Sequence, residues 1–171
     1  STDTDGRFHG KCLSGLVPEG ILKIKKGEIM VIAGKGYCNG SYWGDHRSIC
    51  AAMKGAEGVV IDGAFRDLQG CRAAGFPIFA RGVTPGSAGK ESLGELNIPV
   101  ICGGVRVCPG DIIVGDSNGV IVLKPEEAEE VMERARRKIE AEKYTIQKMR
   151  ETGEILPRVI MGNGREKKEE K

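Results

Sequence analysis

Aromatic residues are scarce, at 5% of 171 residues with a single tryptophan. That scarcity argues against the stacking platforms on which single-stranded nucleic acids bind. Net charge is equally modest at +2, so no strong field draws a phosphate backbone or an acidic membrane surface. The sequence also has no C-x-x-C pair: Cys12, Cys38, Cys50, Cys71, Cys102 and Cys108 stand scattered along it. A zinc knuckle and a thioredoxin-type motif are thereby disfavoured, and a domain of this size needs no disulfide framework. With no histidine beside any of them in the chain, the cysteines are assigned to the core as small apolar residues. No apolar run approaches bilayer length and nothing resembles a secretory leader. The expectation is a cytoplasmic protein with reduced thiols, and with neither nucleic acid nor membrane among its partners. The chain starts at Ser1 rather than at a methionine, consistent with a missing N-terminal piece.

What remains is a globular composition: 40% hydrophobic, 29% charged, and 26 glycines with no triplet period, which points to many tight turns. The length suits one domain with a real core. Residues 1–25 are poorly defined by pattern. Glu28 to Ala33 reads as a buried strand, followed by a glycine-rich loop, GKGYCNGSYWG. Asp45 is placed as the N-cap of a helix through Met53 and Lys54 that Gly55 stops. Gly58 to Asp62 is the next strand, Leu68 to Ala74 a short helix ending at Gly75, and Phe76 to Ala80 a strand that Pro77 puts at an edge or a strand start. Residues 81–97 form a long loop. Pro99 to Val105, Asp111 to Gly115 and Val120 to Leu123 are short strands, the last two joined at the hairpin signal Asn118-Gly119. Pro125 opens a long, charged C-terminal helix, and the tail over 154–171, ending REKKEEK, is expected to be flexible. Helices alternating with strands early and hairpins late predict a mixed α/β domain over 1–153.

Three features fall at strand ends. Glycines lead into Asp45-His46-Arg47, and a helix N-terminus with free amides suits a phosphate or a carboxylate. Arg66 carries a planar fork that can hold a carboxylate or an enolate. Asp67 is a hard oxygen ligand for magnesium or manganese. A helix joining the two preceding strands delivers both strand ends to one rim, so the Asp45 and Arg66-Asp67 loops should meet. The bland reading of Arg66-Asp67 is an exposed ion pair of little worth. Gly34, Gly36 and Gly40 imitate a dinucleotide fingerprint, but the helix starts too late and Asp62 lies too far along. His46 has Asp45 beside it as a potential base would, although histidines at helix starts are commonly solvated. His9 offers no geometry.

Asp45, twenty intervening residues and then Arg66-Asp67 resemble the D-x20-R-D motif of the RraA-like class II pyruvate aldolases, a superfamily that also holds regulators of ribonuclease E activity. GVVIDGAFRD, FPIFARG and PVICGGVRVCPGDIIVGDSNGVIVL agree in order, over roughly residues 26–153. The resemblance implies a β/β/α swivelling-domain-like fold, assembled as a homotrimer or hexamer. It implies a divalent-metal-dependent lyase that cleaves a 4-hydroxy-2-oxo acid to pyruvate or decarboxylates oxaloacetate. Arg66 would bind the pyruvyl carboxylate and enolate, and Asp67 would hold Mg²⁺ or Mn²⁺. Asp45 would support the metal-water network, while Gly44 and the amides of His46 and Arg47 would meet the substrate carboxylate. A neighbour's C-terminal acid, Glu140 or Glu142, would complete the site. The sequence departs from the family pattern at His46 and Arg47, which are usually apolar, and at Gly70, where the regulators carry an acid. The G-x-A-x-T-V run of the family's N-terminal segment is not visible. The alternative is a non-catalytic, protein-binding regulator of ribonuclease activity.

Overall fold

The computed structural model describes residues 15–87, 89 and 94–156. Cys12, His9 and the REKKEEK tail lie outside the described residues, as does part of the 81–97 loop. The chain divides into two compact units, one ending at Leu123 and one starting at Lys124.

The first unit is organised around a parallel sheet in the order β1 (Ile29–Trp43), β2 (Gly58–Phe65) and β3 (Ile78–Val83). The crossovers are α2 (Asp45–Met53) and α3 (Leu68–Ala73). β2 is central and reads as a nearly unbroken buried run, with Val59, Ile61 and Ala64 almost wholly covered. Burying a side chain such as Val59 contributes about 1.5–3 kcal/mol. Pro77 immediately precedes edge strand β3, where its missing N–H leaves no ladder bond unmade, and its carbonyl accepts from Val59 N at 3.0 Å. Trp43 stacks on Phe76 with ring centroids 5.9 Å apart, closing the core beside Tyr42, Ala51 and Ile61. Val17 and Ile21, four residues apart, anchor an additional helix, α1 (Leu16–Lys23), in a stretch whose sequence pattern is too short to announce it.

Several boundaries move. The glycine-rich stretch after Ala33 is strand, because β1 runs on to Trp43. It bulges heavily: Ile32 pairs with Ile61 and Trp43 with Phe65, so eleven steps of β1 accompany four of β2. Glycine is required where the Tyr42 ring lies between these strands. A Cβ at Gly34 would come 2.7 Å from that ring and one at Gly63 would come 2.6 Å from it. Gly63 is therefore a close-approach residue inside β2, which continues through Phe65. Gly63→Ala is expected to destabilise the fold by about 1–3 kcal/mol, as overpacking does, read from the urea midpoint.

Pro99 to Val105 is likewise not one strand. It is divided between β4 (Val100–Cys102) and β5 (Val105–Val107), an antiparallel pair turning at Gly103-Gly104 with φ of 58° and 83°. Paired left-handed residues are what a tight hairpin turn requires. β6 (Ile112–Asp116) and β7 (Gly119–Leu123) pair as the Asn118-Gly119 signal foretells. Asp116 caps that turn by accepting from Asn118 N at 2.8 Å and from its side-chain amide, which holds its carboxyl below the usual range.

In the second unit a 3-10 turn at Pro125–Glu127 leads into α4 (Ala128–Thr152). Gly153, at φ 74°, ends the helix by donating to Met149 O at 2.9 Å. Spaced pairs such as Glu133–Arg137 at 3.2 Å lace its surface. No helix among the described residues is long and apolar enough to cross a membrane.

Candidate functional site

Because β1 and β2 are parallel and joined through α2, their carboxyl ends lie side by side, and Arg66 N–H donates to Trp43 O at 3.0 Å. The chain leaves β1 through Gly44 into α2 and leaves β2 through Arg66 and Asp67 into α3. The N-cap of α2 is Gly44, fully extended, with Asp45 as the first helical residue rather than the cap. The carboxylate of Asp45 takes the His46 amide at 2.6 Å.

Asp67 precedes α3 in a left-handed conformation, φ 57° and ψ 44°. Among L-residues only a few, aspartate included, visit this region readily, and such outliers gather at functional sites. Its Oδ2 lies 3.2 Å from Arg66 Nε, and Arg66 Nη1 donates to Ser87 Oγ at 3.2 Å. Both side chains are well exposed, at 47% for Arg66 and 38% for Asp67. Two glycines make the approach of the loops possible. A Cβ on Gly44 would sit 2.7 Å from Asp67 Oδ2, and one on Gly70 would sit 2.6 Å from Asp45 Oδ2.

Asp45, Gly44, Arg66 and Asp67 are thus gathered at one rim. His46 is exposed on the first turn of α2, its Nδ1 3.8 Å from Cys50 Sγ. This corrects the reading that no cysteine has a histidine beside it: the i, i+4 spacing of His46 and Cys50 on a helix is the signal that exposes the pair. Arg47 turns inward, and its guanidinium donates to Tyr42 O. The dinucleotide-like glycines lie within β1, and Asp62, which is buried, pairs with Arg81 across β2 and β3. Arg81 is held further into its charged form by that bond. In the second unit Glu140 is exposed and Glu142 half-buried on α4.

Three residues at the rim were not singled out by sequence reasoning as functional: Ser48, Cys71 and Ser87. Ser48 and Cys71 each stand four residues after a rim residue, Gly44 and Asp67. Burial pushes the Cys71 thiol up, opposed by the Ser48 bond and reinforced by the charges of Asp45 and Asp67. Both carboxylates therefore bear on one buried thiol. A separate cavity of about 860 Å³ lies between α1, the first half of β1 and the β4–β5 hairpin, lined by Val17, Met30, Ile32 and Val107 among others. It shares no residue with the rim.

A divalent ion is a sensible tenant of the rim on donor chemistry. Asp67 is exposed and Asp45 half-buried, and no cluster of three or more ligating side chains occurs among the described residues. Magnesium is commonly held by one or two carboxylates, with the rest of its shell from water and substrate.

The architecture is that of a mixed α/β protein with its polar residues outside the carboxyl ends of parallel strands, where ligands of such sheets bind. The Aldolase/RraA signature of the RraA-like family matches residues 9–122. The chain belongs to the RraA-like family. A Halalkalibacterium halodurans protein provisionally named as a 4-hydroxy-4-methyl-2-oxoglutarate aldolase is 42% identical over 112 residues, covering 66% of this chain and 53% of that relative. The chain spans about half the length of the first curated relatives it matches. Among solved structures, the RNA-processing inhibitor RraA from Thermus thermophilis shares 30% identity with a TM-score of 0.63, over 66% of this chain and 70% of that one. Streptomyces coelicolor RraAS2, described as an unusual member of the RNase ES inhibitor RraA family, shares 27% with a TM-score of 0.73, over 82% and 71%.

Proposed function

We propose that the chain is a divalent-metal-dependent carbon–carbon lyase. It would cleave a 4-hydroxy-2-oxo acid to pyruvate, decarboxylate oxaloacetate, or do both. The observation that carries this reading is the meeting of Asp45, Arg66 and Asp67 at one rim, with Gly44 and Gly70 clearing the space between the loops. The aldolase name of a relative supports it.

Asp67, with Asp45 beside it, would hold Mg²⁺ or Mn²⁺. When bound, the ion supplies a Lewis acid that polarises the 2-oxo group. Arg66 would grip the pyruvyl carboxylate and offset the negative charge that grows on the 2-oxo oxygen as the carbon–carbon bond breaks. Its bond to Ser87 Oγ sets the direction of the fork. The first turn of α2, with Gly44 and the amides of His46 and Arg47, would turn its positive helix end toward the substrate carboxylate. Asp45 presently takes the His46 amide, so substrate entry would shift that bond. Assembly as a homotrimer or hexamer would bring Glu140 or Glu142 of a neighbouring copy to complete the site.

Metal removal tests this first. Pyruvate release from oxaloacetate or a 4-hydroxy-2-oxo acid is expected to stop in EDTA and to return with excess Mg²⁺ or Mn²⁺. Undiminished release in EDTA contradicts the reading. The likeness to the RNA-processing inhibitor RraA of Thermus and to RraAS2 of Streptomyces favours a second reading, a non-catalytic regulator that binds a ribonuclease. That reading calls for ribonuclease inhibition by the wild-type chain and equal inhibition by a folded Arg66→Ala variant.

A further inference from the structure

Beneath the rim, a serine and a cysteine are buried. Ser48 is completely buried and Cys71 nearly so, at 3% exposure. The Trp43 indole N–H donates to Ser48 Oγ at 2.9 Å, and the Ser48 hydroxyl donates to Gly44 O at 3.1 Å. The Ser48 oxygen also lies 3.7 Å from the Cys71 sulfur, whose S–H donates to Arg66 O at 3.4 Å. Each loop of the rim thus has one backbone carbonyl fastened from below, Gly44 O on the α2 side and Arg66 O on the α3 side.

The second fastening matters because of where it falls. Arg66 O belongs to the peptide joining Arg66 to Asp67, and rotation of that peptide changes φ of Asp67. Asp67 holds a left-handed φ of 57°, a region aspartate visits more readily than most L-residues but still at a cost unless local bonds hold it there. Two bonds do so from within α3: Cys71 N–H donates to Asp67 O at 2.8 Å, and the Cys71 thiol donates to the peptide just before it. The first fastening fixes Gly44, against whose α-carbon the Asp67 carboxylate rests.

We propose that Ser48 and Cys71, backed by the Trp43 indole, form a buried positioning network that fixes the turn at Asp67 and so sets how tightly the rim holds a divalent ion; the proposal rests on the reading of that rim as a metal-dependent site. Neither residue touches substrate or metal. Their part is that of the outer partners that orient a metal's ligands, whose loss costs about 10- to 100-fold in metal affinity or activity.

The sole tryptophan makes this measurable without turnover, because Trp43 lies one residue before Gly44 and a paramagnetic ion nearby quenches indole emission. The experiment titrates Mn²⁺ into the full chain, reads the quenching midpoint, and compares Ser48→Ala, Cys71→Ala, Cys71→Ser and Asp67→Ala. Mg²⁺ half-activation of pyruvate release and KM are measured alongside, and a thermal melt confirms folding. The midpoint is expected to rise about 10- to 100-fold in Ser48→Ala and Cys71→Ala with KM little changed. Cys71→Ser is expected to recover most of it, since a hydroxyl keeps the donor to Arg66 O. Midpoints unchanged in folded Ser48→Ala and Cys71→Ala overturn the network and leave the site standing. A Cys71→Ser variant no better than Cys71→Ala also overturns it, and the two Cys71 variants decide the matter if Ser48→Ala does not fold. Saturable quenching that survives Asp67→Ala, or is missing from the wild type, overturns the metal site and the network with it.

Discussion

Alanine at Arg66 or at Asp67 is expected to abolish pyruvate formation in a chain that stays folded. The two side chains are well exposed and their mutual ion pair is a surface one, so losing it changes stability by about 0–1 kcal/mol. The functional loss is of another order. Removing one preorganised donor from developing charge costs about 10²–10³ in kcat. Arg66→Lys is expected to fall nearly as far, because a point charge on a flexible stem cannot reproduce the planar fork. Asp67→Gly separates strain from function most sharply. Glycine adopts φ near 57° freely, so the variant should keep or gain stability while losing metal-dependent pyruvate release along with the carboxylate. Denaturant midpoints and kcat measured on the same preparations check both halves.

Gly70→Ala carries the second large effect, and two principles oppose each other there. Gly70 lies inside α3, where alanine is favoured over glycine by about 1 kcal/mol. Yet the added methyl would stand 2.6 Å from Asp45 Oδ2 and 2.7 Å from Asp45 Cβ. The Cβ is not the far end of a flexible side chain, so α2 and α3 must separate. A displacement of about 1 Å at a reacting centre can cost 10²-fold, and a loss of that order in kcat is expected despite the better helix former. Gly44→Ala should act more locally by pushing away Asp67 Oδ2, which lies 2.7 Å from the new methyl. If Gly70→Ala proves both more stable and fully active, the close approach of the two loops is dispensable.

Much of this was legible in the sequence because it rests on local chemistry. The apolar run of β2, the stop at Gly55, the helix ending before Gly75 and the Asn118-Gly119 hairpin each have a cause within a few residues. The meeting of the Asp45 and Arg66 loops followed from one topological rule about parallel strands. What escaped the sequence depends on distant partners. The glycines after Ala33 read as loop because nothing local reveals that the Tyr42 ring must pass between Gly34 and Gly63. Gly63, just past the expected strand end at Asp62, gives no local sign that its role is to leave room for that ring. Gly103-Gly104 was absorbed into a strand because the apolar run on either side was continuous. Gly70 registered as a departure from the family pattern, and only the packed helices show the Asp45 carboxylate occupying that space. Ser48 and Cys71 were silent because a serine and a cysteine on helices carry no pattern until the carbonyls above them are known.

The rim itself is a matter of geometry. What it does is a matter of chemistry, and one assay addresses that directly: pyruvate release by the purified chain across oxaloacetate and a series of 4-hydroxy-2-oxo acids, each with Mg²⁺, with Mn²⁺ and with EDTA. The expected result is release from at least one of these substrates that depends on the metal and vanishes in Arg66→Ala. No release from any substrate by a folded, metal-supplied chain, or release indifferent to both EDTA and Arg66, contradicts the account.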